Sequence, residues 1–269
     1  MKNFENKVVV ITGAGSGIGR ALALAFQKAG AKLALNDNNE IALLETVTLA
    51  GGPENVFYQA FDVADKTAFY EFAANVIAHY GRADVVINNA GVAIFKLTAS
   101  EVSIADYEWI MGINLWGMMY GSLAFLPHLR KQKESAIVNI SSIFGILGFP
   151  NQAAYCTTKF AIRGFTESLA IEERMLKTGV TVTSVHPGGI KTNIARHARY
   201  AGNDENAIKQ VEGLFITTPE KAAEAIIAGI KRKKMRLIIG PDAKVLYFLT
   251  RLSPKFVTWY LLRFAKQWK

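Results

Sequence analysis

Short apolar strands alternate with helical stretches along this 269-residue chain almost from its start. That order predicts one parallel sheet with helices packed on both faces, an α/β, single-domain, doubly wound architecture. "KVVVIT" (7–12) reads as a buried strand and 17–30 as an Ala/Leu-rich helix closed by glycine. Further strands are expected at "AKLALND" (31–37), "NVFYQAFD" (55–62), "ADVVINNAG" (83–91), "SAIVNISS" (135–142), "VTVTSVHPGG" (180–189) and "RLIIG" (236–240). Helices are expected near 40–50, 66–80, 104–129, 153–177 and 219–230. Residues 190–216 lack a clear period and read as the longest loop. No repeat or low-complexity linker interrupts this order, so residues 1–240 read as one domain, and 241–269 as a basic, aromatic extension rather than a second domain.

The composition, 51% hydrophobic and 20% charged, can bury a large core and is unlike that of a disordered chain. Cys156, the one cysteine, excludes an intramolecular disulfide and a cysteine metal cluster, and it reads as a small buried hydrophobe; no metal site is expected. The apolar run after the N-terminus is too short for a signal-peptide core, so a cytoplasmic location is expected. The net charge is +9, and it is unevenly spread. Residues 231–269 hold eleven Lys or Arg against one acid, Asp242, and the rest of the chain is close to neutral. The cluster "KRKKMR" (231–236) leads into a strand with no nucleic-acid module around it, so no nucleic-acid partner is expected.

"TGAGSGIG" (12–19) joins the first strand to the first helix, where backbone amides and the positive helix end can receive a pyrophosphate. Gly13, Ser16, Gly17, Ile18 and Gly19 are the candidate contacts, in a TGxxxGxG spacing rather than GxGxxG. Asp37 ends the second strand, where a carboxylate can accept hydrogen bonds from an adenosine ribose and would repel a 2′-phosphate. NAD is therefore expected over NADP. Asp62 and Val63, at the end of the third strand, are placed to contact adenine, and an Asp capping the next helix explains Asp62 nearly as well.

Tyr155 and Lys159 lie four positions apart at the start of a helix, and so share a face. Two unit charges about 4 Å apart interact by roughly 4 kcal/mol at an effective dielectric near 20, so an ammonium there can lower a phenol's pKa by as much as about three, before desolvation takes its share. The lysine would make the tyrosine a usable proton donor and acceptor. Ser141 and Ser142 end a strand on the carboxyl edge of the sheet, where open α/β folds place ligands. "NNAG" (88–91) ends another on the same edge, and Asn114 sits within a long apolar helix.

TGxxxGxG at 12–19, NNAG at 88–91, Asn114, Ser142, YxxxK at 155–159 and "HPGGIKT" at 186–192 together resemble the short-chain dehydrogenase/reductase family over residues 5 to 240. The resemblance implies a Rossmann-type NAD(P)-dependent oxidoreductase with an Asn114, Ser142, Tyr155, Lys159 tetrad. It also implies coenzyme contacts at Asn89, Ala90, Gly91, Tyr155, Lys159, Pro187, Gly188, Ile190 and Thr192. Ser142 is preferred to Ser141 because the family's serine sits about thirteen positions before the tyrosine and Ser141 would point to the opposite side of an extended chain. His186 ends an apolar strand before a proline and is expected to be a packed or hydrogen-bonded histidine rather than a base. A homodimer or homotetramer through the helices at 104–129 and 153–177 is implied as well. The alternative is a non-catalytic dinucleotide-binding sensor or scaffold on the same fold.

"IFGILGF" (143–149), "VAIF" (92–95) and the 190–216 loop are expected to close an apolar pocket, which points to a secondary alcohol or ketone on a steroid-, retinoid- or lipid-like skeleton. The tail 244–269 mixes aromatics, leucines and bases around Pro254, and no uncharged run in it is long enough to span a bilayer. Two readings stay open for it. One is a peripheral membrane contact with Trp259, Tyr260 and Trp268 at the headgroups; the other is an element packed over the substrate cleft or a neighbouring subunit.

Overall fold

A computed structural model of the chain describes residues 1–200 and 205–265. In chain order the elements are β1 (Val8–Thr12), α1 (Gly17–Lys28), β2 (Lys32–Asp37), α2 (Glu40–Leu49), β3 (Val56–Ala60), α3 (Lys66–Tyr80), β4 (Val85–Asn88) and β5 (Ile94–Phe95). They continue with α4 (Ile104–Met111), α5 (Gly117–Leu129), β6 (Ser135–Ile140), α6 (Ala153–Met175), β7 (Val180–Pro187), β8 (Arg199–Tyr200) and α7 (Glu205–Glu212). The C-terminal part holds α8 (Pro219–Lys231), β9 (Arg236–Ile239), α9 (Pro241–Leu252) and α10 (Pro254–Ala265).

Seven strands form one sheet in the order β3-β2-β1-β4-β6-β7-β9, and every pairing in it is parallel. Because successive side chains on a strand point to opposite faces, β1 serves two cores at once. Val9 and Ile11 pack with Leu22, Phe26, Ala223 and Ile226 of α1 and α8, while Val8 and Val10 pack with Phe69, Phe72 and Phe125 of α3 and α5. All four β1 valine and isoleucine side chains are fully enclosed, which is why this strand reads as an unbroken apolar run.

Two expectations need correction. The helix expected at 104–129 is interrupted by a π-helical turn over Gly112–Trp116. By length and composition Ile104–Leu129 could cross a membrane, but 56% of its apolar window is buried and α5 packs Phe125 and Leu129 into the core. The 190–216 stretch is not all loop: β8 pairs with β5 as a second small sheet, α7 follows, and Ile190 bridges to Thr217. Residues 201–204 of that stretch lie outside the described residues.

The tail packs on the domain. Pro254 separates two helices as the sequence implied, and Ala243, Val257 and Leu261 are buried against Ile143 and Leu147, the residues that follow β6. A basic amphipathic segment cannot reveal from sequence which wall its apolar face will meet. Trp268 falls outside the described residues.

Candidate active site

A cleft of about 1740 Å³ opens along the carboxyl edge of the sheet. Pockets for single small ligands usually hold about 300–1,000 Å³, so this one has room for a dinucleotide and a second molecule. Its walls include Gly13, Ser16, Gly17, Ile18, Asp37, Asp62, Val63, Asn89, Ala90 and Gly91, together with Ser142, Tyr155, Lys159, Pro187, Gly188, Ile190 and Thr192. Gly19 and Asn114, also singled out from the sequence, stand behind the wall.

The glycine turn is shaped by close approach. Gly13 adopts φ 64°, and a Cβ there would lie 2.8 Å from the Ala90 backbone; a Cβ on Gly19 would overlap the Gly13 carbonyl. Thr12 Oγ1 accepts from the amides of Asn89 and Ala90, both at 3.1 Å, and Asn89 Nδ2 donates to the carbonyls of Thr12 and Gly13. Asn89 thus braces the turn with its side chain. The first turn of α1 carries no acid, and Ser16 makes no side-chain cap, so the amides at this helix start keep the donors an anionic ligand needs. These residues fit a dinucleotide pyrophosphate.

Asp37 stands at the end of β2, with Oδ2 accepting from the Gly15 amide at 2.8 Å and Oδ1 from the Asn39 amide at 2.9 Å. Arg20, which sequence reasoning passed over, is the base nearest in function to this acid, and it reaches the cleft rim. Its guanidinium is already engaged by Thr46 Oγ1 and Glu45 Oε2, each at 2.9 Å, and by the Gly15 carbonyl. Asp62 turns its carboxylate onto the Ala64 amide at 2.9 Å, while Asp65 caps α3.

Tyr155 and Lys159 lie one turn apart on α6, as i and i+4 dictate, and both are buried. Lys159 Nζ is 5.4 Å from the centre of the Tyr155 ring and donates to the Ile140 carbonyl at 3.0 Å. Tyr155 and Ser142 line the same cleft, and Ser142 Oγ accepts from the Phe144 amide at 3.1 Å. Ser141 is turned the other way and donates to the Lys159 carbonyl at 2.8 Å. Burial pushes the Tyr155 phenol above its ordinary pKa, against the smaller opposing effect of Ser142, and the same burial lowers Lys159 to about 8. The depression expected from the lysine is therefore absent from this structure. Desolvation dominates both groups, and the ammonium lies 5.4 Å from the ring centre with one of its three protons donated to the Ile140 carbonyl.

Asn114 sits in the π-helical turn and spans two segments: its Oδ1 accepts from the Val92 amide at 2.8 Å, and its Nδ2 donates to the Val92 carbonyl at 2.9 Å and to Thr158 Oγ1 at 3.1 Å. A Cβ on Gly91 would lie 3.2 Å from Asn114 Oδ1 and 3.5 Å from Lys159 Nζ, which places both groups around that glycine. His186 is fully buried, as expected of a packed histidine. Its Nδ1 meets the Ser142 carbonyl at 2.9 Å and its Nε2 the Ser184 hydroxyl at 2.9 Å. Since the carbonyl can only accept, Nδ1 carries the proton and Ser184 donates to Nε2. Burial lowers its pKa to about 4.

Two other wall residues carried no signal in the sequence. Asp242, on the first turn of α9, accepts from the Gly189 amide at 2.7 Å, tying the tail to the Pro187–Gly189 turn. Gln152, 5% exposed, has a buried side-chain oxygen with no hydrogen-bond partner.

A sheet of this order, with a glycine turn at its first strand and a buried Tyr and Lys beside a serine at its carboxyl edge, defines a dinucleotide-dependent oxidoreductase class. The short chain dehydrogenase family model matches residues 7–202, and the chain belongs to that family. Among its relatives, SadH of Mycobacterium tuberculosis, a protein named as an oxidoreductase, is 43% identical over 256 residues, covering 94% of this chain and 92% of SadH. The uncharacterized oxidoreductase YxnA of Bacillus subtilis is 34% identical over 257 residues, covering 95% of this chain and 71% of its own. A short chain dehydrogenase/reductase from Burkholderia phymatum, solved in complex with NAD, superposes with a TM-score of 0.86 at 29% identity, covering 93% of this chain and 95% of that one.

Proposed function

We propose that this chain interconverts a secondary alcohol and a ketone on a hydrophobic skeleton, with NAD as the preferred coenzyme and Tyr155 as the acid and base. The observation that carries this reading is that Tyr155, Ser142 and Lys159 line the same cleft as the glycine turn. Bound NAD supplies the hydride acceptor or, reduced, the donor. Tyr155 exchanges a proton with the substrate oxygen: it takes one from an alcohol or gives one to a ketone. A phenol held above its ordinary pKa is protonated at neutral pH, which readies it to donate. Ser142, whose side chain lines the cleft beside Tyr155, orients the substrate oxygen and steadies charge developing on it. Lys159 brings positive charge beneath the phenol ring, and Asn114 fixes the backbone at Val92 beside it.

The remaining coenzyme contacts are Gly13, Ser16, Gly17, Ile18, Gly19, Asp37, Asp62 and Val63, read from their places at strand ends and in the turn, and Asn89, Ala90, Gly91, Pro187, Gly188, Ile190 and Thr192, carried over from the resemblance. Preference for NAD rests on Asp37 together with the engagement of Arg20 by Glu45, which takes up the charge that a 2′-phosphate would need. The substrate side of the cleft is apolar, with Phe95, Trp109, Phe144, Phe149, Phe215 and Leu246 among its lining. That lining supports a steroid-, retinoid- or lipid-like skeleton. Exposed Trp116, Leu123, Phe160 and Ile171 on α5, α6 and the turn before α5 support self-association into a dimer or tetramer. The test is a panel of hydrophobic secondary alcohols and ketones followed by NADH absorbance. Turnover with at least one member, faster with NAD(H) than with NADP(H), is expected. Tight NADH binding with no turnover across the panel would favour a sensor instead.

A further inference from the structure

We infer that α9, α10 and the adjoining Leu214–Ile216 segment form a docking face for an anionic lipid bilayer, with the substrate cleft opening through that face. The tail packs over the cleft and still presents a second, outward apolar face. Twenty large hydrophobic side chains are exposed among the described residues, and seven of them lie between residues 245 and 262. On α9, Val245, Phe248 and Leu252 follow an i, i+3, i+7 spacing and form one outward stripe, 57%, 61% and 66% exposed. On α10, Phe256 and Trp259 stack with ring centres 5.8 Å apart and are about half exposed.

Charge accompanies this apolar face and has one sign. Lys244, Arg251, Lys255 and Arg263 are all exposed on the two helices, with Arg263 lying over the Trp259 ring at 4.9 Å. The lone acid of residues 241–265, Asp242, is turned inward onto the Gly189 amide. Basic side chains flanking an apolar and aromatic stripe suit the interface of a negatively charged bilayer, where the stems stay in the apolar layer and the charges reach the headgroups. A second copy of this chain would place like charges against each other across a twofold axis, which the same arrangement disfavours.

The face is continuous with the cleft mouth. Leu214, Ile216, Val245, Phe256 and Tyr260 line the cleft and are also exposed to solvent. A molecule dissolved in the bilayer would therefore reach the cleft without crossing water. This delivery step rests on the hydrophobic substrate proposed above; the docking face does not.

The full chain, saturated with NADH, is sedimented with vesicles of phosphatidylcholine alone and of equal parts phosphatidylcholine and phosphatidylglycerol. Binding to the anionic vesicles, weakened by added salt, and little binding to the neutral ones is expected. Lys244→Gln, Arg251→Gln and Lys255→Gln combined should lower that binding by about a hundredfold, each base contributing a factor of about five. Phe248→Ser with Leu252→Ser should lower it by at least about tenfold through lost apolar burial. None of these five residues lines the cleft, so NADH affinity is expected to stay at the unaltered chain's value, a readout that does not depend on turnover. Failure of the unaltered chain to bind anionic vesicles, or equal binding to both kinds, would overturn the inference. So would light scattering that shows a dimer dissociated by these same substitutions while no vesicle binding occurs.

Discussion

Lys159 Nζ and the Tyr155 ring centre stand 5.4 Å apart in a site where both side chains are buried, and the lysine's hydrogen bond goes to the Ile140 carbonyl rather than to the phenol. Burial of an ammonium at this depth has a consequence for stability. An unfolded lysine holds its proton up to about 10.5, whereas the buried one releases it near 8. Between those values the unfolded chain binds the additional proton, so stability rises with pH across the window, by as much as about 3 kcal/mol. Urea midpoints measured through this range should climb for the unaltered protein relative to Lys159→Met. Parallel curves for the two proteins would show that Lys159 is not desolvated as described.

His186 brings the opposite edge of the pH range into view. It is neutral in the fold, with its pKa lowered from 6.5 to about 4, so below the unfolded value only the unfolded chain takes up a proton. Stability contributed by the neutral ring is complete above about 6.5 and is lost as pH falls towards 4, a change of up to about 3 kcal/mol. His186→Gln, which can also donate to the Ser142 carbonyl, should flatten the acid limb of the stability profile. An unchanged acid limb would count against a buried, neutral His186.

Asp37 carries the coenzyme preference and also holds the Gly15 and Asn39 amides. Removing it as Asp37→Ala deletes charge-assisted hydrogen bonds worth about 1.5–3 kcal/mol each at most, so NADH affinity should fall by roughly ten- to a hundredfold. NADPH should lose less, and the ratio of the two dissociation constants, read by fluorescence titration, should narrow. Equal NADH affinity in the two proteins would remove the basis for preferring NAD.

Asp242 joins the tail to the coenzyme side of the cleft through the Gly189 amide. Asp242→Ala should therefore weaken NADH binding several-fold and accelerate hydrogen exchange over α9, with a stability loss of about 1–3 kcal/mol. Exchange over α9 that matches the unaltered protein, with NADH binding intact, would mean that the tail and the coenzyme turn are independent.

Much of the fold was legible because a parallel sheet buried on both faces writes itself as apolar runs. "KVVVIT" contains β1, which starts one residue in at Val8, and the seven strands expected are the seven of the main sheet. Most of the residues expected at the sheet's carboxyl edge line the cleft there because they follow strand ends or open helices, and strand ends in a parallel sheet share an edge; Asn114 instead sits in the π-helical turn. Three features were hidden. The π-helical turn at Gly112–Trp116 adds one residue to a helical register and leaves the apolar pattern of its neighbours unbroken. Arg20 looks like any surface base of α1 until the fold brings α2, with Glu45 and Thr46, beside it. The destination of the tail depends on the wall it meets, Ile143 and Leu147, and no periodicity within α9 or α10 names that wall. The sequence also favoured a lysine-lowered phenol, because a pair of charges can be counted from spacing while the burial that outweighs them cannot.

Tyr155→Phe keeps the ring that packs at the cleft and removes the proton carrier. With a turned-over alcohol or ketone in hand, the decisive measurement is its turnover number beside its NADH dissociation constant. NADH binding within about twofold of the unaltered protein, with turnover lower by roughly two to four orders of magnitude, is the expected result. Turnover equal to that of the unaltered enzyme would contradict the assignment of Tyr155 as acid and base.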